Sequence, residues 1–177
     1  KETDAATYQA MEALVHNLNT MNSRAGAQVP FSSLNYGTDT SPEGRMAVHN
    51  LLRATEAGLG DGETPIFPVQ IFKVKEGVNY NEGDPNYDLF RHALRCSAKR
   101  LFPNFSFLDA PFNLQYYKPG DYNTEVAYMG CRTRVMGNVF DNTKEVTCGR
   151  GNLSFTSINL PRIGIEAKGD MKTFYKL

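Results

Sequence analysis

Much of what could identify this chain at a glance is missing from it. There are only three cysteines, Cys96, Cys131 and Cys148, an odd number with no CxxC pair. That excludes a disulfide framework or a structural zinc site built from the cysteines of this sequence, and it favours a reducing compartment. Neither sign of charge dominates: Lys plus Arg and Asp plus Glu are 19 each, so the formal net charge is zero. Nucleic-acid binders normally carry a basic excess or stripe, and this chain has neither. No apolar run approaches the roughly 20 residues needed to span a bilayer, and no secretory signal opens the sequence. The GxSxG, Walker A, GxGxxG and HExxH patterns are absent as well. His16, His49 and His92 fall on three separate helical stretches with no ligand spacing, so no metal site is expected from them.

The 177 residues, 41% hydrophobic and 21% charged, suit one domain with a real core. Met11, Leu14, Val15, Leu18 and Met21 follow helical spacing and predict a helix over Asp4 to Ser23. Val29 to Tyr36 reads as a strand closed by Gly37. Ser41 then offers a cap, Pro42 suits the first helical position, and Glu43 suits the positive end of the helix dipole. The helix thus begun carries Met46, Val48, Leu51 and Leu52 and ends in the glycines at 58 to 62. Ile66 to Phe72 reads as a strand that loses a ladder bond at Pro68, Asp88 to Phe102 as a third helix, and Asn104 to Leu108 as a short strand. The alternation predicts an α/β fold of parallel strands with crossover helices, an α/β layer or barrel. From Asp109 to Gly151 no helical period appears and Gly, Pro, Asn and Tyr dominate. A loop of about 40 residues within one domain is commonly functional. Leu153 to Leu160 alternates apolar and polar residues and reads as a closing strand.

Three places carry candidate chemistry. Cys131 stands in the long loop beside Arg132 and Arg134, and nearby positive charge lowers a thiol pKa. A free cysteine is, however, more often a small core residue, and the residue pattern leaves both readings open. The Gly149 to Asn152 turn is either a phosphate-cradling backbone or a plain tight turn, the plain turn being commoner. Ser32, Ser33 and Asn35 put polar groups in a strand expected to be buried, where they need neighbouring loops or a ligand as partners.

The segments Arg24 to Thr40 (RAGAQVPFSSLNYGTDT), Tyr128 to Arg134 (YMGCRTR) and Gly149 to Arg162 (GRGNLSFTSINLPR) closely resemble the anaerobic (class III) ribonucleoside-triphosphate reductases, and essentially the whole chain fits in order. The resemblance implies a partial ten-stranded α/β barrel, a single domain over 1–177, with a finger loop at about 109–152 whose tip carries a cysteine. It implies that Cys131 becomes a thiyl radical, generated by a glycyl radical near the C-terminus of the enzyme, and removes the 3′ hydrogen of a ribonucleoside triphosphate. Formate is the implied reductant. Asn152, 21 residues past the cysteine, matches the family's active-site asparagine and is expected to hold ribose hydroxyls or formate. Ser33 and Asn35 are candidates for lining the same substrate pocket; Cys96 and Cys148 match no catalytic position and read as structural.

The resemblance also implies a radical-SAM iron–sulfur activating enzyme as partner, a homodimer, a cytoplasmic setting, and ATP or deoxynucleotide effectors bound elsewhere. The family's upstream thiol, regulatory domain, four-cysteine zinc site and glycyl-radical segment are not in this sequence. The chain therefore reads as a central fragment that would not turn over ribonucleotides by itself, its Cys131 exposed for want of the remaining barrel. Another glycyl-radical enzyme, of formate-lyase or dehydratase type, is the alternative, although its finger-loop surroundings should differ and the GRGN turn speaks against it. A non-catalytic nucleotide-binding domain is a third reading, in which Cys131 is dispensable.

Overall fold

The computed structural model describes residues 1–22, 25–115, 117–130, 133–135 and 157–176. Helix α1 (Glu2–Thr20) is followed by β1 (Ser33–Tyr36), α2 (Pro42–Ala57), β2 (Val69–Val74), α3 (Tyr87–Arg100) and β3 (Asn104–Phe107). The three strands form one parallel sheet in the order β1-β2-β3, each joined to the next through a helix. The expected α/β alternation is therefore present, as three parallel strands.

Local chemistry explains where the elements start and stop. Ser41 caps α2, its Oγ accepting from Gly44 N at 3.1 Å, with Pro42 in the first turn. The last carbonyls of α2 are taken by Arg100, whose guanidinium donates to Glu56 O and Ala57 O, both at 2.9 Å. Helix α3 ends at Leu101, which adopts a left-handed φ of 66° ahead of Pro103.

Two strands are displaced from the sequence expectation. The sheet ladder in β1 begins at Ser33 rather than Val29, and β2 runs over Val69–Val74 rather than Ile66 to Phe72. Asn19 of α1 causes the second shift. Its Oδ1 accepts from Ile66 N and Phe67 N at 2.9 and 3.0 Å, and its Nδ2 donates to Phe67 O at 2.6 Å. These main-chain groups are thus held by a helix side chain, and Pro68 has no N–H to offer a ladder.

The core lies between the sheet and its helices. Phe72 is fully buried, with the rings of Tyr36, Phe90 and Phe105 at 5.8, 6.0 and 6.1 Å, among Val48, Leu52, Val74, Leu89, Ala93 and Cys96. A second cluster joins α1 to α2 through Val15, Leu51 and Ala54. Alternation along the strands then puts Ser33, Asn35, Val69, Ile71, Lys73, Asn104 and Ser106 on the opposite face of the sheet.

The stretch after β3 is not the uniform loop that its composition suggested. It holds a short α4 (Pro111–Leu114), a 3₁₀ turn at Tyr122–Thr124, and an antiparallel pair, β4 (Ala127–Met129) and β5 (Thr133–Val135). Elements of three or four residues are too short to show a period. The expected strand over Leu153 to Leu160 is overturned at its end: Leu160 opens helix α5 (Leu160–Ala167), capped by Asn159 Oδ1 on Arg162 N at 3.0 Å, with Pro161 in its first turn. Residues 153–156 lie outside the described residues. Helix α6 (Met171–Phe174) follows.

Candidate functional site

The face of the sheet turned away from the helices is polar, which is unusual for parallel strands, whose two faces are normally apolar. Across it the paired rows read Asn35–Ile71–Asn104 and Lys73–Ser106. The β4–β5 hairpin lies against this face and is tied to it at two points.

The first tie is Asn35. Its Nδ2 donates to Tyr128 O at 2.6 Å, and its Oδ1 accepts from Tyr128 N at 2.8 Å. One side-chain amide thereby supplies both halves of a ladder pair to a residue of β4, 93 positions along the chain. Tyr128 pairs with Arg134 on its other side. The second tie is Lys73, whose Nζ lies 2.8 Å from Glu125 Oε1, with the two side chains only 13% and 10% exposed. Thr38 Oγ1 donates to the same oxygen at 3.2 Å.

The end of β1 is closed by two fully buried asparagines. Asn79 Nδ2 donates to Gly37 O at 3.0 Å and to Lys73 O at 2.8 Å, while Asn86 Nδ2 donates to Gly37 O at 3.1 Å and to Asp39 O at 2.8 Å. Gly37 has a φ of 123°, and a Cβ there would come within 2.8 Å of Lys73 O. The strand's carboxyl end, where α/β sheets place their ligands, is thus rigidly built.

Beside the hairpin, an open cleft is lined by Ile71, Asn104, Phe105, Ser106 and Tyr128. Ser106 is 5% exposed, and its Oγ has no hydrogen-bond partner among the described residues.

The sequence-derived candidates divide as follows. Ser33 and Asn35 share the polar face, but the amide of Asn35 is committed to Tyr128. Cys131, Asn152, Arg132 and Cys148 lie outside the described residues. In the chain Cys131 falls between Met129 and Thr133, which are paired across β4 and β5. Arg134 is engaged elsewhere: its Nη1 donates to Phe112 O and Asn113 Oδ1 at 3.2 and 3.1 Å, and the guanidinium carbon lies 5.2 Å from the centre of the Phe112 ring. Cys96 is a core thiol, 0% exposed, with its pKa pushed up to about 11 first by burial and then by the nearby Glu56 carboxylate. His92 contacts Glu56, Nε2 to Oε2 at 3.3 Å, and burial lowers its pKa. Among the described residues no group of three or more His, Cys, Asp or Glu could hold a metal ion, and no helix is long and apolar enough to cross a membrane.

Lys73, Glu125, Ser106 and Asn104 were missed from sequence. The one signal available was period-two alternation, which puts Lys73 on the same face as Ile71 and Val69.

A family profile described as anaerobic ribonucleoside-triphosphate reductase matches residues 1–177. The anaerobic ribonucleoside-triphosphate reductase of Escherichia coli K12 is 38% identical over 171 residues, 96% of this chain and 23% of that protein. The protein of the same name in Salmonella typhimurium is 37% identical over 176 residues, 99% of this chain and 24% of its own length. That of phage T4 is 36% identical over 167 residues, 94% of this chain and 27% of its own. The chain spans about a quarter of the length of the curated relatives it matches. With a profile covering every residue and relatives matched across nearly all of the chain, this sequence belongs to the anaerobic ribonucleoside-triphosphate reductase family.

Proposed function

We propose that this chain forms part of the catalytic unit of an anaerobic ribonucleoside-triphosphate reductase, with its polar sheet face and the β4–β5 hairpin contributing to the active site. The observation that carries the reading is the pairing of Asn35 with Tyr128, which fixes to the sheet the hairpin bracketing Cys131. The three parallel strands then belong to the ten-stranded α/β barrel, and residues 109–152 to its finger loop.

In this reading Cys131 is the hydrogen abstractor. Cys131 would be oxidised by a glycyl radical elsewhere in the enzyme, its S–H bond breaking as a C–H bond forms on that glycine, which leaves the sulfur one hydrogen short. Cys131 then takes the hydrogen from C3′ of the ribonucleoside triphosphate, so that an S–H bond forms as the C3′–H bond breaks. The carbon radical at C3′ loosens the 2′ hydroxyl, which takes up a proton and leaves as water. Two electrons from formate complete the reduction, and the Cys131 S–H bond breaks as its hydrogen returns to C3′, leaving the sulfur as it began: ribonucleotide, formate and one proton give deoxyribonucleotide, carbon dioxide and water. Asn152 holds ribose hydroxyls or formate through an amide able to donate and accept. Ser33 lines the same face as a further hydroxyl, whereas Asn35 serves by holding the hairpin.

The partners that go with this reading are a radical-SAM activating enzyme and a second copy of the full-length subunit, with nucleotide effectors bound elsewhere in the enzyme. A cytoplasmic setting goes with this reading.

The test is Cys131→Ser in the full-length reductase carrying this sequence, treated with its activating enzyme. The glycyl radical is expected to form, seen by electron paramagnetic resonance, and deoxynucleotide product to vanish. Undiminished product overturns the reading.

A further inference from the structure

The ion pair between Lys73 and Glu125 remains without a role in the chemistry above. We infer that Lys73, Glu125 and Thr38 are positioning residues that set where Cys131 meets its substrate, an inference that rests on the proposed reductase reading.

The geometry carries it. Glu125 lies three residues before Tyr128 and six before Cys131. Tyr128 is fixed to β1 by Asn35, and Glu125 is fixed to the neighbouring strand β2 by Lys73 at 2.8 Å and to the exit of β1 by Thr38 at 3.2 Å. A segment held at one point can pivot, but one held at two points on adjacent strands keeps a single direction. The second point is also sensitive to chemistry. With side chains 13% and 10% exposed, each charge has lost most of its water and depends on the other. Among the described residues, Lys73 is the cation paired with Glu125, and Lys75, two residues on, is turned to Tyr117 OH at 2.8 Å. Among the described residues the pair joins the sheet to the segment leading into β4, and the core lies on the opposite side.

Hydrogen abstraction demands that sulfur and C3′–H approach along one line, and a misplacement of about 1 Å can lower a rate by roughly 100-fold. Loosening the second tie should therefore act on the chemical step more than on binding.

The experiment uses the full-length, activated reductase with the variants Lys73→Met, Lys73→Arg, Glu125→Gln and Cys131→Ser. Radical yield by paramagnetic resonance, kcat, KM and the isotope effect on kcat with 3′-deuterated substrate are measured for each. Lys73→Met is expected to lower kcat roughly 10- to 100-fold, with radical yield retained, KM altered less than about threefold and the isotope effect increased. Lys73→Arg, which keeps the charge, should recover most of the rate. If Lys73→Met does not fold, Glu125→Gln keeps the side chain's shape and is read in the same way. An unchanged kcat and isotope effect in both variants overturns the inference, as does a fall in kcat with no change in isotope effect, which marks a merely structural pair. Cys131→Ser separates this from the parent reading. If that variant still makes product, the reductase reading fails; if it is inactive while Lys73→Met and Glu125→Gln behave as wild type, only the positioning role fails.

Discussion

Removing the Asn35 amide should loosen the hairpin at Tyr128, leaving the Lys73–Glu125 tie in place, without unfolding the sheet. Asn35→Ala deletes both bonds to Tyr128, at 2.6 and 2.8 Å. Each net intramolecular hydrogen bond contributes about 0.5–1.5 kcal/mol, so the loss amounts to about 1–3 kcal/mol of local stability. At about 1.4 kcal/mol per factor of ten, the Tyr128 amide should open roughly 5 to 150 times more often. Hydrogen exchange followed on a peptide covering 126–129 in the full-length protein, normalised for intrinsic rates, reads this directly. Peptides from β2, whose Phe72 is buried on the other face, should keep their protection. Asn35→Asp adds a signature in pH. Its carboxylate can still accept from Tyr128 N, but it sets an anionic oxygen against Tyr128 O, and only the protonated acid restores the donor. The folded-state pKa is therefore raised above its unfolded value of about 3.9, so the tie is intact below that value and is lost as pH rises through the folded pKa. Protection at Tyr128 in this variant should fall with rising pH, while Asn35→Ala shows no such dependence. Equal protection of Tyr128 in wild type and Asn35→Ala would refute the reasoning.

Two further outcomes test the fold. Phe72→Ala removes a fully buried ring with aromatic neighbours at 5.8 to 6.1 Å and should destabilise the protein by about 3–5 kcal/mol, measured by urea denaturation; a loss under about 1 kcal/mol would mean that this core is not packed as described. Cys96, with its thiol pushed up to about 11, should resist alkylation at pH 8 in the native protein and react only after unfolding, as mapped by mass spectrometry; fast native labelling of that peptide would contradict its burial. Because its folded pKa is raised, the stability linked to Cys96 is intact below the unfolded value of about 9 and declines as pH climbs towards about 11.

How much of this was legible in advance depends on the range of the interaction. Ser41, Pro42 and Glu43 announced α2 because a helix start is decided by a few adjacent residues, and the Ser41 cap is present. The apolar–polar alternation running up to Leu160 reads as a strand, whereas a helix capped by Asn159 begins there with Pro161 in its first turn. Strand bounds failed where a distant side chain intervened: Asn19 takes the main chain of Ile66 and Phe67, 47 and 48 residues away. The polar face could be partly anticipated from Ser33 and Asn35, since alternation assigns faces. What those faces meet is another matter. Asn35 finds Tyr128 across 93 residues and Lys73 finds Glu125 across 52, and neither pairing leaves a local trace. The naming of Cys131 and Asn152 came from the wording of their motifs and not from any periodicity, and both lie outside the described residues.

Asn79 also bears on the order of assembly. Its Nδ2 bridges the carbonyls of Gly37 and Lys73, one at the end of each of two neighbouring strands, while its Oδ1 accepts from Lys75 N at 2.9 Å. Such a bridge acts as a coincidence detector: neither carbonyl alone completes it, and both are in reach only after β1 has docked on β2. The connection from 75 to 86 can therefore complete these bonds only once the two strands have met. Asn86, which reaches Gly37 and Asp39, then seals the same junction from the start of α3. Folding of this region is expected to close from the sheet outwards, with the connection as its clasp.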